Sequence, residues 1–573
     1  MDKNLIPPFT SIVEQVENMI ISASGWRKVF TPSGDEQDDD SKLELSDSYL
    51  VALITHAYVL ALKPKTVIVA TDSRPTRDAI AEIVLKILVA NNIDVIYLGI
   101  SAAPEIFAYS KDIDSSHFFY ITASHNPIGH NGFKFGSEGQ VFPSQINNKI
   151  VTVFNSLLKE SSTLNLLSSL LNQNNDTKIE QILKDSGEHK NRALLSYEKL
   201  TDVISHGVGK VNLGIVCDMN GSARTLSIDE KYLNKLGIKT AFINNEVGQI
   251  VHGIVPEGEN LTACKNHLFE VHQKENSFVL GYMCDNDGDR GNIVYFDEAD
   301  NQVKILEAQN LFALIALIEM TLKKEDNKKN GLVVNCPTSL AVDILATKLD
   351  FDLFRVEVGE ANVVQKAIME RQNGYNIPLL GEGSNGGNIT YPSSVRDPLN
   401  TLIALIKLLN KENFKKITQL DEKPTIAKAL SILPKRVITG SYSKEGVLRV
   451  KTKDQGIFKK EYEKLFLESW HQRKEYLEKQ FNICIYKVEQ SEGTTLKVGL
   501  GEKYRSGKMT GGLKIIFYDC DNNATDFIWM RGSQTEPVFR IMADALGSDK
   551  NRHDYLLSWQ RDLVEKADQL SSI

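Results

Sequence analysis

The sequence predicts an α/β protein of three similar units in series followed by a smaller α+β unit, and three observations carry that expectation. Its 573 residues, at roughly 150 per domain, leave room for about four domains. Short β-rich apolar stretches alternate with helical patterns over most of the chain, the signal for parallel βαβ units. After Leu433 and Pro434 the alternation gives way to one long charged helix and a run of strands.

In chain order, Thr66 to Ala70 reads as a buried strand, Thr76 to Val89 as a helix, and Asp94 to Leu98 and His117 to Thr122 as further strands. Leu213 to Cys217 with a helix from Ser222 to Leu236 opens a second unit, and Leu332 to Cys336 with Leu340 to Leu349 opens a third. The echo is one of pattern rather than residue identity, so it supports repeated architecture more than duplication. Leu157 to Lys190 is rich in Ser, Asn, Leu and Lys with Leu164, Leu167 and Leu171 at helical spacing, and reads as helical. The last unit is expected to hold a helix from Lys459 to Gln480 and strands around Cys484 to Val488, Thr495 to Val498 and Leu513 to Tyr518. The expected domains are therefore 1–205, 206–308, 309–430 and 431–573.

Composition excludes several classes. With 42% hydrophobic and 24% charged residues the chain can bury several cores. A net charge of -8 and a pI near 5.9 argue against a nucleic-acid partner, so any phosphate site must be built locally. The six cysteines (Cys217, Cys264, Cys284, Cys336, Cys484, Cys520) form no CxxC pair, which speaks against a zinc site or a disulfide scaffold and for a reducing cytoplasm. The first twenty residues contain acids and prolines where a secretory leader needs an apolar core. No later apolar run is expected to cross a membrane, so the expectation is a cytoplasmic protein with no membrane partner, a monomer or homodimer.

Four loops carry chemistry. Ser124, in Thr122-Ala-Ser-His-Asn-Pro127, follows the apolar run FFYIT, at the strand-to-loop edge where α/β sheets bind ligands. It is a candidate nucleophile. Asp285, Asp287 and Asp289 alternate after the strand Phe278 to Met283, with Gly288 allowing a tight turn. Three crowded carboxylates repel one another unless a cation joins them, and Mg²⁺ is the expected one, a hard ion with oxygen ligands. A calcium-binding EF-hand is disfavoured, since Arg290 stands where that loop needs Gly and Phe296 where it needs Glu. The acidic run Asp35 to Asp40 has no preceding strand and reads as a solvated loop. The run Gly381 to Gly387 offers Glu382, Ser384 and Asn385 to sugar hydroxyls. In the fourth loop, Arg531, Ser533, Gln534, Thr535 and Arg540 read as an anion site, where guanidinium groups grip phosphate and hydroxyls complete the shell. Gly501 to Gly512 fails the nucleotide-loop pattern, with five residues between Gly501 and Gly507 and Met509 in place of Ser or Thr.

In this order the four loops resemble those of the α-D-phosphohexomutase superfamily, which includes phosphoglucomutases and phosphomannomutases, over nearly the whole chain. The resemblance implies three mixed-sheet domains and a smaller fourth around a central cleft, closing to exclude water. It implies a phosphoryl-carrying Ser124, with Asn131 to Lys134 matching the NGxK that follows it. It also makes Lys134 an acid/base candidate, His125 and Arg27 phosphoryl contacts, Arg290 a substrate contact beside the metal loop, and Glu382 and Ser384 sugar contacts. The reaction implied interconverts hexose 1-phosphate and hexose 6-phosphate, glucose or mannose first, with Mg²⁺ and a hexose 1,6-bisphosphate intermediate. A phosphopentomutase, a phosphoglucosamine mutase, a phosphosugar phosphatase and a non-catalytic phosphosugar binder are the alternatives. Two departures bear on the sugar and the proton donor: SNGG in the third loop, and Glu360 where some relatives carry His or Lys.

Overall fold

The computed structural model describes residues 5–572 apart from 23, 115, 384–386, 441–442 and 533–537. The chain divides into two compact units, Met1–Ile305 with Pro392–Ile403, and Leu306–Tyr391 with Ala404–Ile573.

The first unit holds two mixed sheets. The first is built from β1 (Ile20–Ser22), β2 (Gly25–Val29), β3 (Thr66–Thr71), β4 (Asp94–Ile100), β5 (Ser116–Ile121), β6 (His130–Ser137) and β7 (Gln140–Val141). Its order is β1-β2-β6-β5-β3-β4, with β7 on β6. The second takes β8 (Gly214–Asp218), β9 (Lys239–Ile243), β10 (Phe278–Cys284), β11 (Gly291–Asp297) and β12 (Gln302–Ile305), in the order β12-β11-β10-β8-β9. In the second unit, β13 (Gly331–Asn335), β14 (Asp352–Val356), β15 (Leu379–Glu382) and β16 (Gly387–Thr390) form a sheet in the order β14-β13-β15-β16.

These three sheets share one wiring. A buried founding strand (β3, β8 or β13) is flanked in parallel by the next two strands, and the fourth returns antiparallel to the third. The founding strands TVIVAT, GIVCD and GLVVN are almost wholly buried. That is why they read as continuous β-branched runs rather than alternating ones.

The fourth sheet is antiparallel throughout: β17 (Arg436–Ile438), β18 (Val447–Arg449), β19 (Ile485–Glu492), β20 (Thr495–Val498), β21 (Leu513–Tyr518), β22 (Ala524–Gly532) and β23 (Val538–Leu546), ordered β17-β23-β22-β21-β19-β20 with β18 on β23. Helices Gln455–Phe481 and Lys550–Ser571 bury Phe458, Tyr462, Phe466, Trp559 and Leu563 in its core.

Several expectations change. The helix expected from Ser222 to Leu236 is a 3-10 turn, Ala223–Leu226, then a short helix, Asp229–Lys235. The stretch Leu157 to Lys190 is helical as expected and holds two helices, Thr163–Leu171 and Asp176–Ser205, the second running beyond it. The helix Leu45–Leu62 has the length and composition of a membrane span, contrary to the expectation that no such run exists, and 78% of it is buried inside the first unit. Apolar on every side, it is that unit's core helix, packed on Arg77–Ala90 and Ser144–Leu157. Cys484 and Cys520 are joined by a disulfide, Cα atoms 5.2 Å apart, so the six cysteines are not all free thiols. Sequence spacing hid the pair because β19 and the turn after β21 meet only through sheet pairing, Cys484 N donating to Tyr518 O at 2.8 Å.

Candidate active site

The Ser124 loop joins β5 to β6, the third and fourth strands of the wiring that starts at β3. Ser124 is fully buried and sits at φ 54°, a left-handed conformation that a non-glycine residue adopts at a cost of about 1 kcal/mol or more. Its neighbours impose it. The Ser124 amide donates to Thr122 Oγ1 at 2.8 Å, and Thr122 Oγ1 donates to Asp72 Oδ2 at 2.7 Å. Arg74, itself fully buried, fans its guanidinium across the loop: Nη2 donates to Ser124 O (2.8 Å) and Asn126 O (2.5 Å), Nη1 to His130 O (2.9 Å) and to Pro127 O. The acidic run is not merely solvated: Thr31 Oγ1 donates to Asp35 O, and Gly129 N donates to Glu36 O at 2.9 Å, so its backbone braces the far end of the serine loop.

The Asp285–Asp289 turn occupies the same position in the second sheet, joining β10 to β11. Ser124 Oγ donates to Asp285 Oδ2 at 2.9 Å. Lys134, on β6, donates to Asp287 Oδ2 at 2.6 Å and Asp289 Oδ2 at 2.9 Å. All three carboxylates are buried, with one oxygen of each within 4.8 Å of the others. Burial and then the Asp287 and Asp289 charges push Asp285 well above the carboxylate range. Burial would also raise Asp289, but Arg396, Lys134 and Arg290 outweigh it and hold that carboxyl well below the usual range. Asp287 Oδ1 and Asp289 Oδ1 are buried without a hydrogen-bond partner among the described residues. Convergent, under-satisfied carboxylate oxygens suit a hard divalent cation.

Arginines line the other side. Arg290 Nη1 donates to His125 Nδ1 at 2.7 Å, and since a guanidinium only donates, His125 keeps its proton on Nε2. Burial, then Arg290 and Arg27, drop His125 well below its ordinary pKa, so the ring is a neutral donor. Arg27 stands on β2 opposite Gly132, and burial followed by Arg290 lowers it to about 10, still charged at neutral pH. The first unit thus brings together Ser124, His125, Lys134, Arg27, Asp285, Asp287, Asp289 and Arg290. Sequence reasoning missed two residues. Arg74 lies two residues after Asp72 at the end of the founding strand β3, a position that could have flagged it. Arg396, whose Nη2 donates to Asp289 Oδ2 at 3.0 Å, comes from a distant segment with no local signal.

The remaining loops lie in the second unit. Glu382 ends β15 buried, its Oε1 accepting from Gly359 N at 2.7 Å and Asn335 Nδ2 at 3.2 Å. Thr338 Oγ1 takes Gly383 N at 3.1 Å. Ser384 and Asn385 lie outside the described residues, as do Ser533, Gln534 and Thr535. Arg531, on β22, and Arg540, on β23, are direct cross-strand partners. Two like charges opposite one another on one sheet face are destabilising unless an anion or acid compensates.

Residues 23–161 match the family model for phosphoglucomutase/phosphomannomutase, alpha/beta/alpha domain I, and residues 310–425 that for alpha/beta/alpha domain III. Among curated relatives, the phosphoglucosamine mutase of Ruminiclostridium cellulolyticum is 26% identical, covering 68% of this chain and 78% of its own length. That of Caldicellulosiruptor bescii is 27% identical over 68% and 81%. The fold is shared with a phosphoglucomutase/phosphomannomutase family protein from Burkholderia thailandensis (TM-score 0.59, 15% identity, covering 96% of this chain and 98% of that one). It is shared too with the phosphoglucomutase parafusin from Paramecium (TM-score 0.62, 15% identity, 95% and 97%). With family models covering its first and third sheets and relatives of one kind along two thirds of its length, the chain belongs to the α-D-phosphohexomutase superfamily.

Proposed function

We propose that this chain is a phosphohexomutase that interconverts hexose 1-phosphate and hexose 6-phosphate through phosphorylated Ser124 and a bisphosphorylated sugar. The Ser124 hydroxyl donating to Asp285 Oδ2 inside the carboxylate trio carries the reading. Transfer breaks the Oγ–P bond of phosphoserine and forms an O–P bond to a sugar hydroxyl, whose proton passes to a base; Lys134 is the candidate for that proton. His125, Arg27 and Arg290 would bind the phosphoryl oxygens, and Arg531 and Arg540 with Ser533, Gln534 and Thr535 the distal phosphate. Glu382, Ser384 and Asn385 would hold the sugar. Asp285, Asp287 and Asp289, with the Ser124 oxygen beside them, would hold Mg²⁺, which when bound offsets charge on the phosphoryl group.

The four segments 1–205, 206–308, 309–430 and 431–573 are part of the same proposal, each containing one sheet and one loop. Phosphoglucosamine mutases are the named curated relatives, so glucosamine 1-phosphate heads the substrate panel, with glucose and mannose 1-phosphates beside it. Each is incubated with Mg²⁺ and a trace of hexose 1,6-bisphosphate, and the 6-phosphate isomer is followed. Isomer formation that disappears in Ser124→Ala and on chelation supports the proposal. Inorganic phosphate without isomer points to a phosphatase, and no turnover of any member to a binding protein.

A further inference from the structure

The second unit contains a buried carboxylate that the reaction scheme does not use. Glu357 follows β14, two residues before Gly359, and is 4% exposed. Its Oε2 accepts from Ser491 Oγ, on β19, and from Gly512 N at 2.5 Å, just before β21. Its Oε1 accepts from Val358 N at 2.9 Å and lies 3.0 Å from Arg531 Nε, on β22. Contacts from two strands of the fourth sheet and from the residue ahead of a third therefore converge on one side chain that follows β14. Lys459 braces the same corner from behind, donating to Gly511 O and Met509 O at 2.6 Å each.

Arg531 is the first arginine of the phosphate loop and is 24% exposed. Left alone, its long side chain would sample many rotamers and would be pushed by Arg540 across the strand pair. Glu357 is the acid within ion-pair range of Arg531 among the described residues. The two meet at the Nε edge as an ion pair, with no hydrogen bond to Nε among the described residues, and a guanidinium approached from that edge still presents its two η nitrogens, the pair that grips phosphate bidentately.

We propose that Glu357 is a positioning residue for phosphate recognition: it anchors Arg531 by the Nε edge, compensates the arginine pair, and sets the η edge toward the distal phosphate of the sugar. This rests on the mutase reading for the identity of the ligand. It assigns a role at a position three residues before Glu360, where the family resemblance assigns none.

The test is a double-mutant cycle of Glu357→Gln and Arg531→Ala in the full-length protein. Calorimetric titration with glucose 1,6-bisphosphate is done in a Ser124→Ala background, where no transfer occurs. Glu357→Gln is expected to weaken binding about tenfold when Arg531 is present and to change it less than twofold when Arg531 is alanine. With Ser124 intact, the same variant should raise KM with kcat within about threefold. If Glu357→Gln does not fold, Glu357→Asp, which keeps the charge but withdraws it, replaces it and is expected to show the same dependence on Arg531. Equal weakening in both backgrounds, no weakening in either, or no binding of the bisphosphate overturns the proposal. Binding that follows the cycle in a protein with no mutase turnover leaves it standing and removes the mutase reading alone.

Discussion

At the scale of single side chains, the serine loop hangs on Arg74, whose donors hold five carbonyls from Ser124 to His130. The candidate residues were legible because such side chains recur at fixed spacing in short motifs, and Ser124, the three aspartates and Lys134 are in contact with one another. Their supports were not, because Arg74 and Arg396 act through the fold rather than through neighbours in sequence. His130 adds a pH dependence. Burial, then Arg74, Arg27 and Lys28, lower it from 6.5 to about 4. The native ring stays neutral down to about pH 4 while the unfolded chain protonates near 6.5. Between those values the unfolded state binds more protons, so this contribution to stability is complete above 6.5 and is lost as pH falls toward 4. Urea midpoints at pH 7 and pH 5 should converge in His130→Asn relative to wild type; an unchanged gap contradicts this.

Among the elements, one hairpin position is used three times. The serine, aspartate and Glu382 loops each join the third and fourth strands of an identically wired sheet. The founding strands could be read from their continuous apolar runs. The helix after β8 could not, since Asp229 is drawn into an ion pair with Arg224 and a hydrogen bond from Tyr282 Oη at 2.6 Å, which favours a 3-10 turn and short helix there. That Arg224 also limits the metal turn. Gly288 has φ 69°, and a Cβ there would lie 2.3 Å from Arg224 Cγ. Arg224 cannot retreat easily, being paired with Asp229 (2.8 Å) and Asp397 (3.0 Å). Gly288→Ala is therefore expected to destabilise by about 1–3 kcal/mol and to weaken Mg²⁺ activation at least tenfold, read from the Mg²⁺ dependence of turnover. Wild-type dependence would show that the turn tolerates the methyl.

For the whole molecule, two compact units set what calorimetry should resolve. The Cys484–Cys520 bond lies in the second unit with a sequence separation of 36, and on the chain-entropy account it stabilises by roughly 3–4 kcal/mol. A reductant, or Cys520→Ser, should lower the melting of the second unit by several degrees and leave the first unit's transition unchanged. Coincident shifts in both, or none, would refute that. The alternation of β-rich and helical patterns made the α/β class legible at this scale, but the core helix Leu45–Leu62 was not read, since apolarity reports burial without saying in what.

The recurrence of one hairpin position has a consequence for how such a protein can change. A connection between two antiparallel strands can gain or lose residues at its tip while the parallel strands behind it keep their pairing. Each sheet then serves as a socket for an exchangeable cassette. A chain with three such sockets can revise one connection without disturbing the pairing that holds the other two.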